Sequence, residues 1–187
     1  MTREVFFIHL PKCAGISVRE ACPGVISDWH ADCNHYAETY GERWRMGFKF
    51  TIVRHPFDRA VSAFSYLKQQ TPSHRFWVED MGRRKIMEPY RDVNEFIAAG
   101  NHIARQVLHF WPQYTWLTDW LPDLILHFER LDEEWRMLWS LFPYFGHLGK
   151  INTSRHKDYR EVLTAKSQET LRQWYAEDLR LFGYTDR

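Results

Sequence analysis

Apolar and polar positions along this chain group into blocks of two kinds. Three short runs are apolar at nearly every position: Val5–Leu10 (VFFIHL), Phe48–Val53 (FKFTIV) and Leu124–Phe128 (LILHF). Each is rich in β-branched or aromatic residues and leads into a turn or a helical pattern, as a strand buried on both faces does. Val25–Ser27 is a shorter candidate. Between and after these runs the spacing becomes helical. Pro56 suits the first turn of a helix whose Phe57, Ala60, Val61, Phe64 and Leu67 share one face. Asp92 with Glu95 forms a capping-box variant opening Val93–Ala99. Leu131, Trp135, Leu138 and Phe142 make a second stripe. Leu171, Tyr175, Leu179 and Phe182 make a third, which Gly183 is placed to stop. Strands alternating with helices predict an α/β fold with a central, mostly parallel sheet flanked by helices. Ligands in such folds bind beyond the carboxyl ends of the strands.

Composition narrows the function. The 187 residues suit one domain, 1–187, with a sizeable core. A charge balance of 25 basic against 24 acidic residues gives no broad basic face for nucleic acid, but leaves room for a local cationic pocket. Cys13, Cys22 and Cys33 are an odd set without C-x-x-C spacing, which predicts reduced thiols, no disulfide framework and no metal site. Val5–Leu10 is too short for a signal segment, and Phe110–Phe128 is broken by Pro112, Asp119, Pro122 and Asp123. The expectation is a soluble cytoplasmic protein with no membrane span. Its oligomeric state is not legible, although the 17% aromatic content suits a self-association surface.

Two stretches carry chemistry. Pro11–Ser17 (PKCAGIS) lies where a strand turns into a helix, and unpaired N–H groups at a helix start favour an anion. Gly15 permits close backbone approach, Ser17 adds a hydroxyl and Lys12 a mobile charge. An ordinary strand–helix turn with a solvated lysine has the same composition. A Walker A loop is excluded, because Lys12 precedes the only glycine. The second stretch, Phe50–Phe64 (FTIVRHPFDRAVSAF), places Arg54 at a strand's carboxyl edge, where its planar fork suits a phosphate. Ser62, two turns past Pro56, is able to join it. Taken singly, the better reading has Arg54 beside a carboxylate such as Asp58 and Ser62 as a helix residue facing a neighbour.

Together, HLPKCAGIS and FTIVRHPFDRAVSAF resemble the cofactor signatures of sulfotransferases that use 3′-phosphoadenosine-5′-phosphosulfate (PAPS), most closely the carbohydrate O-sulfotransferases and their bacterial relatives. The family's first loop usually reads PK-T-x-G-T-[ST] and its second VR-[DN]-P-x-x-R-x-x-S. HFWPQYTWLTDW, HFERLDEEW, NTSRHKDYREVLT and WYAEDLRLFGY look like its later blocks, so the resemblance spans nearly the whole chain. It implies a P-loop-like three-layer fold and transfer of a sulfuryl group to a hydroxyl or amine of a small-molecule or carbohydrate acceptor, with PAP released.

The resemblance also assigns roles. Lys12, Cys13, Ala14, Gly15, Ile16 and Ser17 would hold the 5′-phosphosulfate, and Arg54 and Ser62 the 3′-phosphate. Ser154, Arg155 and Lys157 look like the segment that closes over the nucleotide. His30, in SDWHADCNHY, resembles the family's base, with His35 as the alternative, and a histidine near pKa ~6.5 suits that task. Glu129 fits either an orienting role or a structural hydrogen bond. Three positions depart from the pattern: Cys13 replaces a frequent threonine, Ile16 a frequent hydroxyl residue, and His55 the usual Asp or Asn. A thiolate at Cys13, beside Lys12 and a helix start, would be open to oxidation. Trp77, Trp111, Trp116 and Trp120 fit either an acceptor floor or core, and Lys68–Arg91, with Arg83, Arg84 and Lys85, either an acceptor lid or a solvated loop. A noncatalytic nucleotide- or anion-binding module on the same fold and a nucleotide kinase are the competing readings.

Overall fold

The computed structural model describes residues 3–69, 72, 74, 76–118, 120–149 and 156–185. In chain order the elements are β1 (Val5–Ile8), α1 (Gly15–Ala21), α2 (Cys33–Tyr40), α3 (Glu42–Met46) and β2 (Phe48–Val53). Next come α4 (Pro56–Gln69), α5 (Met81–Met87), α6 (Val93–Ala98) and α7 (Asn101–Ala104). The chain then passes through 3-10 turns to β3 (Leu124–His127) and α8 (Leu131–Leu141), and ends with α9 (Tyr159–Val162), α10 (Ala165–Trp174) and α11 (Ala176–Leu181). Two compact units result, one from residues 1–54 and 113–153, the other from 55–112 and 154–187.

The first unit holds the sheet. Its strands are all parallel in the order β1-β2-β3, with Val5 opposite Phe48 and Phe50 opposite Leu124. This is the α/β architecture that the alternating pattern predicts. The expected strand at Val25–Ser27 is reduced to one bridge on the far side of β1, where Phe7 N–H donates to Ile26 O and Ile26 N–H to Val5 O, both at 2.9 Å. Every residue of β1 and β2 is buried, which is why those runs carry no polar alternation. Phe6 meets Tyr36, Tyr40 and Trp44 edge-on, and Phe7 stacks on Phe50 with centroids 5.0 Å apart. Lys49 is the exception in β2. Its ammonium, whose pKa burial pushes down, donates to the carbonyl of Gly47 at 2.9 Å. β1 and β3 stop slightly earlier than their apolar runs, at Ile8 and His127, β2 ends at Val53 as its run does, and the carboxyl ends of all three share one edge.

The second unit is helical. Phe57, Ala60, Val61, Phe64 and Leu67 of α4 are all buried, in a core with Val93, Phe96, Tyr159, Leu171 and Tyr175. Asp92 Oδ1 caps α6 by accepting from the N–H groups of Asn94 and Glu95. Glu95 accepts from Arg91 N–H rather than from the cap residue, so the predicted box is displaced by one position. The C-terminal stripe is two helices broken at Tyr175, not one, and Gly183, at φ +67°, follows the end of the second. Arg59 is wholly buried. Its Nη1 donates to His109 O at 2.9 Å and its Nη2 to Trp111 O, while Tyr175 Oη donates to Phe110 O at 2.8 Å. Three consecutive carbonyls are thereby satisfied. Among the described residues no helix is long and apolar enough to cross a membrane, and no group of His, Cys, Asp and Glu is arranged to hold a metal ion.

Candidate active site

The loop between β1 and α1 leaves the sheet at its carboxyl edge. Lys12 and Ala14 both adopt left-handed backbone, at φ +66° and +60°, although neither is glycine. Such conformations cost about 1–2 kcal/mol each, so the loop's shape is imposed by its surroundings. Ala14 precedes α1 without offering a side-chain cap, and the first turn of α1 contains no acidic residue. Nothing in that turn therefore repels an anion. Gly15 is fixed by close approach: a Cβ there would lie 1.7 Å from Nε2 of His9, which is itself buried.

His9 links this loop to His30. Its ring stacks on Phe7 at 5.6 Å and lies 5.1 Å from Trp29 and 4.8 Å from His30, centroid to centroid. His30 has φ +49° and also faces Trp116 at 6.2 Å. The segment before it is tied down by Tyr36, whose hydroxyl accepts from Asp28 N–H at 2.7 Å and donates to Phe7 O at 3.1 Å. His35, the alternative base, instead pairs with the Asp28 carboxylate at 2.9 Å on α2 and is half exposed. Trp29, half exposed and capped by the Arg19 guanidinium at 4.5 Å, is a neighbour of His30 that sequence reasoning does not single out.

Arg54 follows β2 and is buried. Its guanidinium lies over the Phe128 ring at 4.1 Å, and Nη1 donates to Lys12 O at 3.1 Å. The two sequence motifs thus meet: residues 42 positions apart share a hydrogen bond. Cys13 is fully buried, with its thiol donating toward Pro11 O at 3.6 Å and Gln113 Oε1 at 3.5 Å. The sulfur therefore faces the protein interior, which shields it from a solvent oxidant. Gly15 and Ser17 are buried and Ile16 half-buried at the start of α1.

The remaining candidates lie on other elements. Ser62 is buried in α4 and Lys157 is exposed, both in the second unit. Ser154 and Arg155 lie outside the described residues. Glu129 is exposed beyond β3. His55 replaces the usual Asp or Asn as a cap: its Nδ1 accepts from Phe57 N–H at 3.3 Å, and its ring stacks on Tyr159 at 4.6 Å. Of the four tryptophans proposed as an acceptor floor, Trp116 lies against His30, Trp120 packs on Trp44, Trp77 lies under Arg84, and Trp111 donates to Arg105 O. Arg83 is paired with buried Asp80 at 2.7 Å, so much of the basic cluster is engaged within its own segment.

The family model described as "Sulfotransferase family" matches residues 4–185, nearly the whole chain. No curated protein and no solved structure gives a match.

Proposed function

Since the chain belongs to the sulfotransferase family, we propose that it moves the sulfuryl group of PAPS to a hydroxyl or amine of an acceptor such as a carbohydrate. The observation that carries this reading is the contact between the two motifs, Arg54 Nη1 to Lys12 O at 3.1 Å, beside a first turn of α1 free of acidic residues. A donor with anionic groups at both its 5′ and 3′ positions suits a site where the two motifs meet, the Arg54 guanidinium against the backbone of the first loop.

PAPS, when bound, supplies an activated sulfuryl group whose departure leaves negative charge on a 5′-phosphate. Lys12 and the backbone N–H groups of Gly15, Ile16 and Ser17 are assigned that charge, and stabilising it is the protein's main electrostatic task. Arg54 and Ser62 are assigned the 3′-phosphate by the motif they match, and Lys157, with Ser154 and Arg155, is assigned to the nucleotide on the same grounds. His30 accepts the proton of the acceptor hydroxyl on an imidazole nitrogen. His9 and Trp116 hold that ring in place, and the strained backbone at His30 fixes its direction.

Calorimetric binding of 3′,5′-adenosine bisphosphate, AMP and ATP tests the donor. Wild type is expected to prefer the bisphosphate, with Arg54→Ala and Lys12→Ala each weakening it by about tenfold or more. An acceptor screen then compares wild type with His30→Ala, expected to lose about 10²–10⁴ in rate. Absence of any bisphosphate preference refutes the donor assignment. Binding with no turnover on any acceptor identifies a noncatalytic nucleotide-binding module.

A further inference from the structure

We infer that Gln113 is a positioning residue that sets the spacing between the two anion subsites. This rests on the functional reading above and deepens it. Gln113 stands on the 3-10 turn Gln113–Trp116 and is fully buried. Its carboxamide meets the Arg54 peptide from both sides: Oε1 accepts from Arg54 N–H at 2.9 Å, and Nε2 donates to Arg54 O at 2.8 Å. The side chain behaves as one more peptide group of a neighbouring strand, continuing the ladder a step beyond Val53. The two bonds also fix which end of the amide is oxygen, since the reverse orientation would set donor against donor.

The same Oε1 accepts a hydrogen bond from the Cys13 thiol, with Sγ 3.5 Å away. Arg54 completes the circuit through Nη1 to Lys12 O at 3.1 Å. Lys12, Cys13, Gln113 and Arg54 therefore form a closed ring of contacts around the exit of β1 and the exit of β2. The loop inside that ring holds left-handed backbone at Lys12 and Ala14 without glycine, a shape that needs external support. Gln113 provides it and at the same time locks the residue that follows β2. The distance between the backbone of the first loop and Arg54 is consequently a property of the protein rather than of the ligand. A preset distance favours a nucleotide with two anionic groups at matching separation over one with a single anion.

The test compares 3′,5′-adenosine bisphosphate with 5′-AMP and 3′-AMP by calorimetry on wild type, Gln113→Leu, Gln113→Glu and Cys13→Ala, with thermal unfolding measured in parallel. In Gln113→Leu the preference for bisphosphate over either monophosphate is expected to shrink about tenfold, while each monophosphate changes by less than about threefold. Gln113→Glu, which keeps an acceptor and loses the donor, falls between Leu and wild type. Cys13→Ala, which removes one bond, narrows the preference by about threefold. Equal losses for all three ligands would show a general loss of structure and overturn the inference, as would an unchanged preference. Should Gln113→Leu fail to fold, the Gln113→Glu and Cys13→Ala variants decide the same question. A wild type without bisphosphate preference refutes the donor assignment first, an outcome visible before any Gln113 variant is made.

Discussion

Gly15 is held to glycine by its neighbour, not by its own backbone. The His9 imidazole occupies the place of its missing side chain, and that ring is also stacked on Phe7. Gly15→Ala is therefore expected to displace His9 at a cost of about 1–3 kcal/mol. The melting temperature should fall by about 2–4 °C per kcal/mol, and bisphosphate binding should weaken with it. Unchanged melting and binding would mean that the ring is free to move. At this scale the sequence makes Lys12 and Arg54 stand out as candidate cations within their own motifs, whereas the reason for Gly15, the ring of His9, lies in a contact. Gln113 and His9 are not legible, because their roles lie in contacts. Gln113 acts on a residue 59 positions away, and His9 acts through its shape. Cys13 is legible as a departure, but its direction is not, since loop position alone does not say which way a side chain turns.

Helix α4 is legible in its apolar spacing, yet its most buried charged residue gives no periodic signal. Arg59 sits among apolar neighbours and spends its charge on the carbonyls of His109 and Trp111. Arg59→Leu would leave those acceptors buried and unmet, and a loss of roughly 3 kcal/mol is expected. Denaturant unfolding measures this loss, and a variant within about 0.5 kcal/mol of wild type would show that water replaces the guanidinium. The junction of β3 with α8 makes a different prediction. Burial pushes the Glu134 carboxyl up, but the His127 N–H at 2.5 Å and the Arg130 side chain at 2.8 Å more than offset it, and its pKa is lowered. The folded chain thus binds this proton less readily than the unfolded chain does. Its contribution to stability is complete above the ordinary glutamate value near ~4.3 and is lost as the pH falls through the lower folded value. Glu134→Gln should be less stable at pH 7 by roughly 1 kcal/mol and show a flatter decline below about pH 5, read from melting curves across pH. A wild-type slope retained in the variant would move the effect to another carboxylate.

At the scale of the molecule, all three cysteines are buried thiols outside any disulfide, and burial pushes Cys22 and Cys33 up to about 12. Thiolate is the reactive form and Cys13 is shielded by its burial, so none of the three is expected to react with a thiol reagent at about pH 8 in the native protein, and all three should react once it unfolds. Rapid native labelling at Cys13 would show that the loop opens. The α/β class and parallel direction follow from apolar runs separated by helical spacing. The placement of β2 at the centre does not, because the runs carry no mark of which neighbour each will choose. That order has a consequence for synthesis. Phe48 finds its partner Val5 as soon as β2 is made, but Phe50 must wait for Leu124. All of residues 55–112, which belong to the second unit, leave the ribosome in the interval. Until then the backbone of β2 has one edge unclaimed, in one of the most apolar stretches of the chain. Folding is thus expected to be slow for the chain's size and open to misassociation during translation, with the nascent chain most vulnerable between the release of β2 and the arrival of β3.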